Sequence, residues 1–218
     1  DLRGFVHRGR QLRDLLLATL APQAQSFRGL RLPLVGVATA LAEPGIAPVT
    51  AFGLADDLWS GPERGFRAHL AAVRSTGTLK LVAIPLWGLW RTRSFSGAVV
   101  VGLAANALNQ LDTRPGRALK AFVLCSLALR GRPGRALAVA VLLAPYDHRE
   151  MVMLGDAGSN ALGAVLGLES VRRLRGFRRL GAIGALAGLT ALGERRSLGA
   201  LVESNPILRR LDALGRQP

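Results

Sequence analysis

Apolar runs alternate with short polar segments along most of the chain. Residues 94–111 carry no charge, and residues 33–55 carry only Glu43. Shorter apolar runs occupy residues 15–24, 79–90, 119–129, 136–146, 157–168 and 180–193. A membrane-spanning helix needs about 20 mostly apolar residues, with about 17 as the lower limit, so this pattern predicts a polytopic transmembrane helical bundle of about eight spans. We therefore expect an all-α fold with one integral membrane domain over residues 1–218.

The polar segments that contain acidic residues are predicted to lie on one side of this bundle. With eight spans, residues 56–77, 109–120 and 148–156 lie on the side of the termini, and the short turns at 91–96 and 130–135 lie opposite. The positive-inside rule gives weak support, because the Arg-rich residues 172–179 lie on the opposite side. We expect the acidic side to face the cytoplasm, with the protein in the plasma membrane.

The formal charge of +15 raises a second interpretation, a soluble Arg-rich nucleic-acid binder. Half of the residues are hydrophobic and only 5% are aromatic, whereas binding to single strands uses aromatic platforms. Nucleic acid is therefore not the expected partner. The single Cys125 excludes an internal disulfide and a Cys-based zinc site.

Two adjacent carboxylates, Asp56 and Asp57, directly follow the apolar run that begins at residue 33. Ionisable groups next to a membrane span are costly and mark functional sites by default. Their mutual repulsion favours a bound cation or a raised pKa in one of them. The alternative is an exposed helix end.

A second polar cluster is formed by Asn106, Asn109 and Asp112, which recur every third residue and therefore line one face of a helix. Their oxygen atoms are suited to magnesium, or could accept hydrogen bonds from a sugar or uracil. Arg114 and Arg117 follow directly and could hold phosphate oxygens, although isolated arginines there also act as membrane anchors.

A third acidic position, Asp156, is flanked by Gly155 and Gly158 at the start of an apolar run. Small residues let a ligand approach the backbone, and a helix N-terminus favours anions. This short motif is weak evidence by itself. Three acidic clusters on one predicted side are much stronger evidence for a site.

These clusters resemble the polyprenyl-phosphate N-acetylhexosamine-1-phosphate transferase family (glycosyltransferase family 4 type). This family includes the phospho-MurNAc-pentapeptide translocases and the GlcNAc-1-phosphate transferases. The resemblance rests on Gly-Leu-Ala-Asp-Asp at 53–57, Asn106-x-x-Asn109-x-x-Asp112, and Leu-Gly-Asp-Ala-Gly-Ser at 154–159, in the family's order. Residues 65–70 and 112–120 are similar to a bacterial subgroup, and the resemblance extends over about residues 1–170.

The resemblance implies an enzyme that transfers a sugar-1-phosphate from a UDP-sugar to a polyprenyl phosphate and releases UMP, for cell-wall or surface-glycan intermediates. It implies a Mg²⁺ cofactor and membrane lipid as a partner. Asp56 and Asp57 would place or deprotonate the lipid phosphate. The implied site residues are Asp56, Asp57 and Asp156 for catalysis, Asn109 and Asp156 for the metal, and Asn106, Asp112, Arg114, Arg117, Lys120 and His69 for the substrates.

Several features depart from the family pattern. Many members carry a cluster of histidines in a late cytoplasmic loop, but this chain has three histidines, and residues 203–212 contain Arg instead. Thr113 follows Asp112 where many relatives have glycine. Residues 1–13 resemble the family's first cytoplasmic loop, so we expect the usual first span to be missing. The alternative is a non-catalytic membrane relative that binds polyprenyl phosphate; the sequence leaves open whether it forms a homodimer.

Overall fold

All regular elements in the described residues of the computed structural model are helices, which confirms the all-α class. The structure describes residues 34–59, 76–130, 134–148 and 154–214. The predicted run at 15–24 and His69 lie outside them. The helices are α1 (Leu34–Ala42), a 3₁₀ turn (Pro44–Ile46), α2 (Ala47–Trp59), α3 (Thr76–Thr92), α4 (Phe95–Leu111), α5 (Arg117–Ala128), α6 (Arg135–His148), α7 (Gly155–Arg173), α8 (Phe177–Arg195), α9 (Leu198–Ser204) and α10 (Pro206–Ala213).

The apolar run at residues 33–55 is divided between two helices, so the prediction of one continuous span there was wrong. Glu43 has φ −128° and ψ 79°, outside the helical region, and the 3₁₀ turn starts at Pro44. Proline has no backbone N–H and disfavours a helical conformation in the residue before it. Glu43 also accepts a hydrogen bond at Oε1 from the backbone nitrogen of Arg135 (3.0 Å), which ties the break to the start of α6.

Each of the other described apolar runs corresponds to one helix. The ends agree to within one residue for the run at 94–111, whereas α7 extends five residues beyond the run at 157–168. The start of α4 shows how local chemistry sets such a boundary. Ser94 is extended and its hydroxyl accepts a hydrogen bond from the nitrogen of Gly97 at 3.3 Å. A serine in this position satisfies one of the N–H groups that have no partner in the first helical turn.

Helix α7 lies at the centre of the bundle and packs against α4, α2 and α1. Glycines allow the closest approach. A Cβ atom on Gly163 would lie 2.5 Å from Cα of Ala105, and one on Gly167 would lie 2.7 Å from Cα of Val101. The backbones of α7 and α4 can therefore approach closely only because Gly163 and Gly167 have no side chains. Fully buried apolar residues complete the core, including Phe122, Leu119, Leu154, Leu162, Val100 and Val101.

Large apolar side chains are exposed on the outer faces of several helices. Examples are Trp90, Leu124, Leu127, Leu142 and Phe177. Among the helices that the structure describes, none combines the length and the apolar character needed to cross a bilayer.

Candidate active site

The end of α2 is joined to the start of α7 by one carboxylate. Asp57 accepts hydrogen bonds from the backbone nitrogens of Asp156 at Oδ1 and Ala157 at Oδ2, both at 2.9 Å. The first N–H groups of a helix have no partner within the helix, and the helix dipole attracts negative charge there. Asp57 therefore caps α7 and fixes the backbone of Asp156.

Two glycines make this contact sterically feasible. A Cβ atom on Gly53, one turn before Asp57, would lie 2.6 Å from the carbonyl carbon of Asp156. Gly155 has φ +60°, and a Cβ atom on it would lie 3.0 Å from Oδ2 of Asp57. A side chain at either position would push α2 away from α7 or strain the backbone. Gly53 and Gly155, one from each sequence motif, are therefore both needed for the close contact between α2 and α7.

Asp56, which precedes the capping carboxylate, is buried, with 4% of its surface exposed. Asp57 is partly buried. A burial of this degree does not agree with the alternative interpretation of the pair as an exposed helix end. A charged group so far removed from water needs compensating interactions, which is a common property of functional carboxylates.

The amide of Asn109 lies against the first turn of α7. The hydroxyl of Ser159 is 3.1 Å from Oδ1 of Asn109 and 2.7 Å from the carbonyl oxygen of Gly155. In the same turn, Asn160 donates from Nδ2 to the carbonyl oxygen of Asp156 at 2.8 Å. The second motif therefore meets the third at the turn that carries Asp156.

Asp112 is the first residue after α4 and is partly buried. Burial raises its pKa well above the ordinary value. The negative charges of Asp147, Asp156 and Asp57 raise this pKa further, whereas a hydrogen bond from the backbone of Gly155 lowers it. The carboxylates of Asp147, Asp156 and Asp57 therefore interact electrostatically with Asp112 at this end of the bundle.

Asp147 belongs to this group, although the sequence analysis did not select it. It is 1% exposed, and its Oδ2 accepts a hydrogen bond from the backbone nitrogen of Gly116 at 2.5 Å. A signal was present in the sequence. Asp147 directly follows the apolar run at 136–146, just as Asp56 directly follows the run at 33–55.

The three basic residues predicted to hold phosphate all contact the C-terminal helices. Arg117 is 4% exposed and forms two bonds to Asp212, Nη2 to Oδ2 at 2.8 Å and Nε to Oδ1 at 3.1 Å. Arg114 pairs with Glu203 at 3.1 Å, and Lys120 donates to the carbonyl oxygen of Asp212 at 2.5 Å. In this arrangement the guanidinium of Arg117 stabilises the packing of α10. A role in phosphate binding remains a prediction.

Asn106 lies one turn before Asn109 and donates from Nδ2 to Oγ1 of Thr190 on α8 at 3.1 Å. Both asparagines line a crevice of about 250 Å³, together with Asn160. Its other walls are largely apolar and come from α3, α4 and α8: Leu81, Ile84, Pro85, Val99, Gly102, Leu103 and Thr190. The crevice therefore has a polar part at the acidic cluster and an apolar part that extends away from it.

The structure thus brings together Asp57, Asn109, Asp112 and Asp156, with Asn106 adjacent. Within the described ranges, no group of three or more His, Cys, Asp or Glu side chains is arranged to hold a metal ion. His69 cannot be placed in this site, because it lies outside those ranges.

Comparison with known proteins gives no match among protein-family models, curated proteins or solved structures. The family therefore remains a resemblance, carried by the three motifs at 53–57, 106–112 and 154–159. The structure adds the geometric fact that the three motifs meet at one end of α7.

Proposed function

We propose that the protein is a Mg²⁺-dependent transferase that moves a sugar-1-phosphate from a UDP-sugar to a polyprenyl phosphate and releases UMP. The observation that carries this proposal is the meeting of the three motifs at the start of α7, where Asp57 binds the backbone of Asp156 and Asn109 contacts Ser159. These motifs are far apart in the sequence, and the fold brings their polar side chains together at one helix end.

The donor set fits magnesium. Mg²⁺ prefers oxygen ligands, and usually binds through one or two carboxylates together with water and substrate phosphates. Asp156 and Asn109 are the proposed ligands, with Asp112 close to the same turn. A closed cage of three carboxylates is not needed. Burial is the main cause of the raised pKa of Asp112, and the neighbouring carboxylates raise this pKa further. A divalent cation would offset that repulsion.

When bound, Mg²⁺ would offset the negative charge of the donor diphosphate during transfer. In the proposed reaction, an oxygen of the lipid phosphate attacks the β-phosphorus of the UDP-sugar. A new P–O bond forms, the P–O bond to UMP breaks, and UMP leaves with the bridging oxygen. Phosphoryl transfer depends mainly on positioning and on compensation of charge.

The aspartate pair then contributes chiefly by placing groups. A phosphate monoester has a second pKa near 6, so a lipid phosphate is largely dianionic at neutral pH and needs little help to lose a proton. Asp57 already uses both carboxylate oxygens on the backbone of α7. We therefore assign Asp57 to holding Asp156 in place, and the buried Asp56 to organising the same end of α2.

The crevice beside Asn106 and Asn109 suits an amphiphilic acceptor. Its apolar walls match a hydrocarbon chain, and its amide-lined part lies next to the proposed metal ligands. A polyprenyl chain in this crevice would direct its phosphate towards Asp156. The exposed apolar side chains and the close glycine packing of α4 and α7 also suit a membrane protein. We place the site at the cytoplasmic face of the plasma membrane.

A second candidate is a non-catalytic relative that binds polyprenyl phosphate. The pairing of Arg114 and Arg117 with Glu203 and Asp212 favours it, because these arginines are engaged within the protein. The two candidates differ in one measurable product, since only the transferase releases UMP.

The test uses the full chain, purified in detergent, with Mg²⁺, undecaprenyl phosphate and a panel of UDP-sugars. We expect UMP release with at least one donor, and loss of release when EDTA removes the divalent cation. Binding of undecaprenyl phosphate without UMP release from any donor would support the non-catalytic candidate. If the protein neither binds undecaprenyl phosphate nor releases UMP, both candidate functions are contradicted.

A further inference from the structure

The turn at residues 112–116, which joins α4 to α5, is held by the last turn of α6. Asp147 is almost fully buried there, and its Oδ2 accepts a hydrogen bond from the nitrogen of Gly116 at 2.5 Å. Gly116 is the N-cap residue of α5 and has no side chain to cap that helix. A carboxylate from another helix therefore does at α5 what Asp57 does at α7.

The neighbouring residue of α6 contacts the same glycine. Gly116 has φ +73°, and a Cβ atom on it would lie 2.8 Å from Nε2 of His148. The other ring nitrogen, Nδ1, is 2.5 Å from the carbonyl oxygen of Ala144, so the ring is held in place by its own helix. The turn is thus restrained at the N–H of Gly116 by Asp147 and at its Cα by His148.

Asp112 begins this restrained turn and faces the start of α7, where it accepts a hydrogen bond from the backbone of Gly155. Asp112 and Gly116 are only four residues apart in the sequence, so a displacement of Gly116 would also displace Asp112. Two capping carboxylates, Asp57 and Asp147, therefore fix the two backbone segments that lie on either side of Asp112.

We propose that Asp147 is a positioning residue of the site: by accepting the N–H of Gly116, it holds the 112–116 turn so that Asp112 faces the start of α7. This inference rests on the proposed transferase function. Asp147 acts through the turn and does not itself contact the substrates. Its carboxylate is suited to this role, since a charged acceptor forms a shorter and stronger hydrogen bond than a neutral one.

The test compares Asp147→Ala with Asp147→Asn in the full chain, with UMP release as the readout. The alanine removes the acceptor, and a displacement of about 1 Å can lower a rate about 100-fold, so we expect a fall of that order in kcat. We expect KM for undecaprenyl phosphate to change less than about twofold, because no residue of α6 lines its crevice. The asparagine keeps an oxygen that can accept the N–H, so its kcat should stay within about fivefold of the wild type.

Two measurements separate this role from general loss of structure. Glu169→Ala removes another buried carboxylate at the opposite end of α7, where Glu169 pairs with Arg172, and should leave kcat near the wild-type value. Hydrogen exchange of the Gly116 amide should become faster in Asp147→Ala and remain slow in Asp147→Asn.

Any of three results would overturn the positioning role in an active wild type. The first two are unchanged kcat and exchange in Asp147→Ala, and an Asp147→Asn variant as inactive as Asp147→Ala. An equal loss of kcat in Glu169→Ala would do so as well, since it would indicate general destabilisation. If the wild type itself releases no UMP from any donor, the transferase function fails, and the positioning role fails with it.

Discussion

Oδ1 of Asp57 lies 2.9 Å from the backbone nitrogen of Asp156, although the two residues are 99 positions apart in the sequence. The contact joins the aspartate pair at the end of α2 to the glycine-flanked aspartate at the start of α7. It gives Asp57 a defined structural task, because the same carboxylate also holds the nitrogen of Ala157. The start of α7, which carries Asp156, is therefore held at two backbone nitrogens.

Asp57→Ala should therefore lower both stability and activity. Loss of a helix cap costs about 0.5–2 kcal/mol, so we expect a decrease of about 1 kcal/mol in the free energy of unfolding. UMP release should fall further than this loss of stability explains, because the backbone of Asp156 is no longer held. Denaturant unfolding and kcat, measured on the same preparation, check this. Loss of stability with full activity would contradict the positioning of Asp156 by Asp57.

Asp156→Ala should abolish UMP release, because it removes the principal proposed magnesium ligand. Arg175→Ala is the control, since Arg175 is exposed and lies just beyond the other end of α7. Its activity should stay near the wild-type value. Equal effects of the two substitutions on kcat would remove the assignment of the site to the start of α7.

The stability of the metal-free protein should depend on the ionisation of Asp112. The pKa of Asp112 is raised in the folded state, so the folded state binds more protons than the unfolded state between the ordinary pKa, near 4, and the raised one. The contribution of protonated Asp112 to the free energy of unfolding is fully present below the ordinary pKa and is lost as the pH rises through the raised pKa. Asp112→Asn should remove this loss.

Unfolding in EDTA, measured at a series of pH values for the wild type and Asp112→Asn, checks this. The wild-type stability should fall relative to that of the variant as the pH increases. Parallel curves over the whole range would show that burial and the neighbouring carboxylates do not raise the pKa of Asp112.

The buried pair of Arg117 and Asp212 should contribute more to stability than the exposed pair of Arg114 and Glu203. Removing one partner of a buried ion pair typically costs about 3–5 kcal/mol, because the other charge stays buried. Arg117→Ala should therefore strongly destabilise the protein. Arg114→Ala removes a residue that is 52% exposed, so it should cost at most about 1 kcal/mol. Denaturant unfolding of both variants checks this, and equal losses would contradict the structural role of Arg117.

Most of the helices could be predicted from the sequence because they correspond to apolar runs bounded by polar residues. The two short C-terminal helices α9 and α10 correspond to no predicted run. The break at Glu43 was missed even though Pro44 and Gly45 are local signals, because continuous hydrophobicity was given more weight. The pairing of Arg117 with Asp212 could not be predicted in this way. Nothing local to either residue identifies a partner 95 positions away.

The candidate site was predictable to the extent that its residues form short motifs. Three clusters were expected on one side of the bundle, and Asp57, Asn109 and Asp156 do lie together. Asp147 was missed because it stands alone in the sequence and acquires its role only through a contact with Gly116. A residue that positions another residue through backbone contacts is not identified by a short sequence motif.

Narrowing the crevice should weaken binding of the lipid acceptor selectively. Leu103 lines the apolar part of the crevice on α4, so Leu103→Trp should raise KM for undecaprenyl phosphate about tenfold, which corresponds to about 1.4 kcal/mol of lost binding. KM for the UDP-sugar should change little, because the donor is proposed to bind at the acidic cluster. Leu142→Trp is the matched control, since Leu142 is 69% exposed on α6 and does not line the crevice. Initial rates with each substrate varied in turn would measure both constants. A rise in KM for the donor alone, or the same rise for Leu142→Trp, would show that the polyprenyl chain does not occupy this crevice.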